Sequence, residues 1–207
     1  MRFAETARSR LLVYGLASLL LVVAIGGVAW YLMPSQGTEA GQGRVPIGGP
    51  FSLIDQHGKR VTNHDFAGRY MLIYFGYTYC PDICPLSLAN MSQALDLMPP
   101  EEANRVVPIF ITVDPKRDTV EQLADYAPLF HPRLVALTGT EQEIKDVARA
   151  YRVYFSIHED KDGGEYTVDH SSFIYLMGPD GKYRTHFGHS STPDQIVAGI
   201  RAQLVGR

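Results

Sequence analysis

The run RYMLIYFGYTYCPDICP, residues 69–85, decides the fold. From Arg69 to Tyr77 it is apolar and aromatic without alternation, the pattern of a strand buried on both faces. It then passes through a short polar and prolyl turn. Beyond the turn, Leu86 to Met98 sets Leu88, Met91, Leu95 and Met98 at helical spacing, and Pro99-Pro100 stops the helix. A buried strand feeding a helix through a tight turn is the opening of an α/β unit.

Working outward, the same reading extends to both sides. Phe51 to Val61 is two short apolar stretches around Gln56-His57-Gly58, which predicts a hairpin. Val106 to Val113 is a second buried strand, Thr119 to Phe130 is helical, Leu134 to Leu137 is a short strand, and Glu141 to Tyr151 has a helical period. Ser172 to Phe187 is a hairpin turning at Gly178-Pro179-Asp180-Gly181. Pro193 to Leu204 is a last helix, with Thr192 as its cap and Pro193 at its first position. This order predicts an α/β sandwich with a mixed central sheet, the element order of the thioredoxin fold with an extra N-terminal hairpin and an insertion.

Upstream, Leu11 to Met33 contains no charged residue and is long enough to cross a bilayer as a helix. Arg2, Arg8 and Arg10 precede it, opposed only by Glu5, and the next basic residue is Arg44. The positive-inside rule therefore predicts a cytoplasmic N-terminus over residues 1–10 and a single transmembrane anchor over 11–33. A cleaved signal peptide would have a shorter apolar region, and Thr38-Glu39-Ala40 is a poor cleavage site. Residues 34–49 are Gly-rich and read as a flexible tether with a reach of about 20–25 Å. Residues 50–207 form the folded body, which this arrangement exports. Ten residues ahead of the anchor are too few for a mitochondrial transit peptide, so the expected setting is a bacterial inner membrane with the body in the periplasm.

The chain has 207 residues, a net charge of −3, 45% hydrophobic and 20% charged residues, which places the body among globular domains. No basic cluster in the body points to nucleic acid, and none is expected as a partner. Two cysteines cannot form a disulfide scaffold, so their placement must explain them.

Cys80 and Cys84 lie together at the strand-to-helix turn, where sites assemble in sheets of this kind and where helix-terminal N–H groups favour a thiolate. Pro85 at the first helical position would put Cys84 near the N-cap. At this spacing the Cα atoms lie about 6 Å apart, within disulfide range and within reach of one metal ion. The spacing C-x-x-x-C departs from the C-x-x-C of dithiol oxidoreductases. Two thiolates suit Cu(I), thiolates with an imidazole suit copper, and a closed zinc site would want four ligands. Of the seven histidines, His170 stands out because it lies in Asp169-His170-Ser171, in the loop entering the hairpin strand after Ser172. His186 and His189 are the alternatives. Asp169 or a nearby carbonyl would hold the ring's other nitrogen.

Three motifs in order, YCPDICP at 79–85, VDPKRDT at 113–119 and DHS at 169–171, closely resemble the Sco/SenC family over roughly residues 48–205. The resemblance implies a thioredoxin-like domain that binds copper through Cys80, Cys84 and His170. It also implies a role in assembling the dinuclear copper centre of cytochrome c oxidase, with subunit II as the partner. Asp114 of the V-D-P motif is then either an outer group supporting the site or docking the partner, or a turn former before Pro115. The expected activity is copper delivery, the site taking Cu(I) and Cu(II) from a periplasmic donor. The alternatives are a thiol–disulfide reductase of the oxidase's ligand cysteines, with Cys80 and Cys84 as catalytic residues, and a redox or copper sensor. A peroxidase is disfavoured because no Arg or Lys lies within ten residues of Cys80 and Asp82 is adjacent.

Overall fold

The structure, a computed structural model, describes residues 46–159 and 166–205. The anchor expected at 11–33 lies outside the described residues, among which no helix is long and apolar enough to cross a membrane.

The main sheet runs in the order β2-β1-β5-β4-β3-β8-β9. Its centre is β3 (Tyr70–Gly76) and β4 (Val106–Thr112), which pair in parallel, and β4 pairs in parallel with β5 (Val135–Thr138). Every residue of β3 and β4 is buried, which is why both read as unbroken apolar runs. Antiparallel strands flank this core. The hairpin β1 (Ser52–Asp55) and β2 (Arg60–Thr62) joins through β5, and β8 (Phe173–Met177) pairs with β3 and carries β9 (Tyr183–Gly188) outward. The sheet is therefore mixed, as expected.

The helices are α1 (Ile83–Asp96), α2 (Pro100–Ala103), α3 (Val120–Tyr126), α4 (Glu141–Ala150) and α5 (Pro193–Val205). Helix α1 buries Leu88, Met91 and Leu95, the stripe visible in the sequence, and packs beside α5. Thr119 caps α3 by accepting from the Gln122 N–H, and Thr140 with Glu143 forms a capping box on α4. Tyr151, just past α4, sets its ring against Phe75 and Tyr175 and ties that helix to β3 and β8. Burying side chains of this size stabilises the body by about 1.5–3 kcal/mol each.

Three features differ from the expectation. Residues 46–49, taken as the end of the tether, pack on the body: Ile47 lies against the core and the Gly48 N–H donates to the Ala150 carbonyl at 2.9 Å. Helix α1 begins at Ile83, with Asp82 as its cap residue, so Pro85 is its third residue rather than its first. Proline is tolerated there because the first helical N–H groups have no carbonyl to meet. Finally, a separate two-stranded ribbon forms between β6 (Phe155–His158) and β7 (Thr167–His170), which pair antiparallel with Phe155 opposite His170. His170 thus ends a strand instead of lying in a loop.

Candidate metal centre

The turn after β3 is held from beneath. Asp118, fully buried, accepts from the Thr78 N–H at 3.0 Å, from the Thr78 hydroxyl at 2.6 Å and from the Thr112 hydroxyl at 2.6 Å. Burial pushes its carboxyl pKa up, and these three donors pull it back. Thr78 stands two residues before Cys80, so the turn is fixed to the end of β4 before the first sulfur is reached. The Cys80 N–H then donates to the Tyr77 carbonyl at 3.3 Å.

Cys84 lies in the first turn of α1 and is completely buried, while Cys80 is slightly exposed. Gly76 makes room for it: a Cβ on Gly76 would stand 2.8 Å from the Cys84 Sγ and 2.9 Å from the Tyr74 ring. The Tyr74 hydroxyl donates to the Cys84 sulfur at 3.7 Å. Burial, joined by the two neighbouring cysteine sulfurs, pushes the Tyr74 pKa well above the usual phenol range, so that proton stays in place.

Both thiols are free, and they share their protons unequally. Hydrogen bonding from the Cys84 thiol holds Cys80 far below the usual thiol range, down to about 3; burial opposes this, and His170 with the Asp82 and Cys84 N–H groups reinforces it. The same bond, with burial, pushes Cys84 up. One proton between two sulfurs, with the charge on Cys80, is the arrangement of a coupled pair.

His170 completes the set. Its Nε2 lies 3.3 Å from the Cys84 Sγ, and its Nδ1 lies 3.2 Å from the Ser171 carbonyl. A carbonyl only accepts, so Nδ1 carries the hydrogen and Nε2 is the nitrogen that faces the sulfurs. The ring stands edge-on to Tyr74 at 6.0 Å and to Tyr77 at 5.9 Å. One ligand atom each from Cys80, Cys84 and His170 fall within 4.8 Å of one another, and no fourth Cys, His or carboxylate joins them among the described residues. A cavity of about 320 Å³, lined by Tyr77, Cys80, Asp82 and His170 among others, opens beside them to solvent.

Other candidates fall elsewhere. Asp169 does not orient the His170 ring: it is exposed and lies 3.0 Å from His158 across the ribbon, leaving the Ser171 carbonyl in that role. Asp114 is buried, but its carboxylate accepts from Arg117 Nε and from the Tyr166 hydroxyl rather than from a site histidine. His186 meets the Tyr183 hydroxyl and the Phe173 ring, and His189 is exposed; neither joins the cysteines. Three contributors escaped the sequence reading. Asp118 and Arg117 look like members of a solvated charge run, although both stand in the VDPKRDT motif, and Gly76 looks like the end of a strand. Arg117 also brings a guanidinium from a distant part of the chain to 4.8 Å from the ring of Tyr79, the residue before Cys80.

Fold and site together define a thioredoxin-like α/β domain with a dithiol–imidazole ligand set at a strand-to-helix turn. The sequence pattern of SCO1/SenC matches residues 39–205. The chain belongs to the SCO1/SenC family. It is 48% identical over 167 residues to protein sco1 of Schizosaccharomyces pombe, covering 80% of this chain and 64% of that one. It is similar to Arabidopsis thaliana ScoI, whose crystal structure has copper bound, with a TM-score of 0.70 and 44% identity over 76% of this chain and 98% of that one. BsSco, a protein with a disulfide switch described as a member of the Sco family of cytochrome c oxidase assembly proteins, is 27% identical with a TM-score of 0.60, covering 79% of this chain and 98% of that one. The chain spans about half to two thirds of the length of the curated relatives it matches first.

Proposed function

We propose that this chain is a copper chaperone that binds its cargo through Cys80, Cys84 and His170 and delivers it during cytochrome c oxidase assembly. The observation that carries the reading is the convergence of two sulfurs and one imidazole nitrogen within 4.8 Å beside an open cavity. Soft thiolates favour Cu(I), the imidazole suits Cu(II) as well, and the lack of a fourth ligand among the described residues argues against a closed zinc site. The copper-bound relative and the oxidase-assembly relative support the same direction. The receiving partner is subunit II, at its dinuclear copper centre, and a periplasmic donor supplies the metal. The uncharged segment 11–33 anchors the chain in a bacterial inner membrane with residues 50–207 in the periplasm, beside that membrane oxidase.

A disulfide reductase would need the two thiols alone, and His170, held by the Ser171 carbonyl against Cys84, would have no task in it. Anaerobic copper titration of the reduced full-length protein separates the two. One tight equivalent, weakened by His170→Ala, is expected. Absence of tight binding in the wild type overturns copper delivery and leaves dithiol chemistry.

A further inference from the structure

His170 arrives on the ribbon, and the ribbon makes no strand pairing with the main sheet. Only Ser171 and Ser172 separate His170 from β8, which ties that end of β7 to the main sheet, and Val168 packs in the core; the far end of β7 needs a hold of its own. Tyr166 immediately precedes β7, four residues before His170, and it is gripped at three points. Its carbonyl accepts from Arg117 Nη1 at 3.0 Å, its hydroxyl donates to Asp114 Oδ1 at 2.8 Å, and its ring lies 3.7 Å from the Arg117 guanidinium carbon. The same guanidinium lies 4.8 Å from the Tyr79 ring and 5.6 Å from the Tyr77 ring. Tyr79 adjoins Cys80, and Tyr77 sets its face or edge against the His170 ring. Arg117 Nη2 is buried without a hydrogen-bond acceptor among the described residues, which leaves the surrounding aromatic rings as its company.

We propose that Arg117 is a positioning residue that clamps the histidine-bearing ribbon to the cysteine turn and so sets His170 over the two sulfurs. Asp114 is buried and needs a cation to compensate it, so the guanidinium cannot swing away cheaply. A planar guanidinium can bond a carboxylate and a carbonyl while stacking on rings; a lysine ammonium cannot do all of these together. The consequence for the metal rests on the copper reading above, whereas the clamp itself concerns only this chain's own side chains.

Two readouts on the full-length reduced protein test it. The first needs no metal: in the wild type the His170 ring protons carry the shift imposed by the Tyr74 and Tyr77 rings, and in Arg117→Lys and Tyr166→Leu that shift collapses toward the value of a free histidine. The second uses Cu(II) as the probe. The variants keep thiolate-to-copper charge transfer, lose the imidazole nitrogen coupling seen by electron paramagnetic resonance, and hold copper about 10-fold more weakly, the size of effect usual for groups that orient a ligand. Adding His170→Ala to either variant then weakens binding no further. Unchanged ring shifts and unchanged nitrogen coupling in both variants would overturn the clamp. If the wild type bound no copper, the chaperone reading would fall while the ring shifts still decided the clamp. Tyr166→Leu opens the grip from the ribbon side and leaves the Asp114–Arg117 pair intact, which guards against a variant that merely fails to fold.

Discussion

The cysteine turn and the histidine ribbon supply ligands to one centre but are built in opposite ways. The turn grows out of β3, in which every residue is buried, and Asp118 fastens it through three short hydrogen bonds. The ribbon lies outside the main sheet, and of the residues of β6 and β7 only Val168 is buried. The two sulfurs are thus preorganised by the core, while the imidazole is held by side chains around Arg117 and by the Ser171 carbonyl.

That contrast can be broken most severely at the sulfurs. Cys84→Ala is expected to abolish stoichiometric copper binding, a loss beyond the about 100-fold that outer groups cost, as measured by competition with a chelator. It also removes the donor that keeps Cys80 ionised. The thiolate absorbance, which the Cys84 thiol holds well below the ordinary thiol range in the wild type, should then move up toward that range.

The next effect falls on the turn's foundation. Asp118→Ala leaves the Thr78 N–H and two hydroxyls without their acceptor and should cost about 3 kcal/mol in urea unfolding. Because burial raises the folded-state pKa of Asp118, its contribution is fully present below the ordinary carboxylate range and shrinks as pH rises through the raised value. The difference between wild type and variant should therefore narrow with rising pH. A difference that widens would show that the ionised carboxylate, rather than its hydrogen-bonded neutral form, is the favoured state.

Gly76→Ala tests how closely Cys84 is fitted. The new methyl must displace the Cys84 sulfur or the Tyr74 ring, with an expected cost of about 1–3 kcal/mol. Copper affinity should fall about 10-fold, as for other groups that set ligand geometry. Full affinity would mean that the sulfur has more freedom than the rest of the turn. The smallest effect belongs to the ribbon's outer face. Asp169→Ala removes an exposed pair with His158 and should leave copper affinity and unfolding midpoint unchanged within error. A clear loss of affinity would return to Asp169 the orienting role that the Ser171 carbonyl holds.

What could be read from the sequence follows the same division. The strands β3 and β4 announce themselves because burial on both faces leaves only apolar and aromatic residues there, and the cysteines at the end of β3 inherit that clarity. The ribbon gives no such signal. Phe155–His158 and Thr167–His170 are short and mostly solvent-facing, so neither alternation nor an apolar run marks them, and His170 reads as part of a loop. Pro85 misplaced the helix start because proline fits several positions in a first turn, not the first alone. Asp114, Arg117 and Asp118 bear charges in a stretch that also holds Lys116, and their partners are distant in the chain: Thr78, Thr138 and Tyr166. Periodicity cannot report contacts of that kind.

The cavity beside the centre is walled by Cys80 and His170 but not by Cys84. The two sulfurs therefore differ in kind when approached from solution. An alkylating reagent or a small thiol reaches Cys80 before Cys84. Were the site to exchange an ion as proposed, Cys80 would be the sulfur to yield first and Cys84 the one to keep its hold longest, from within the core.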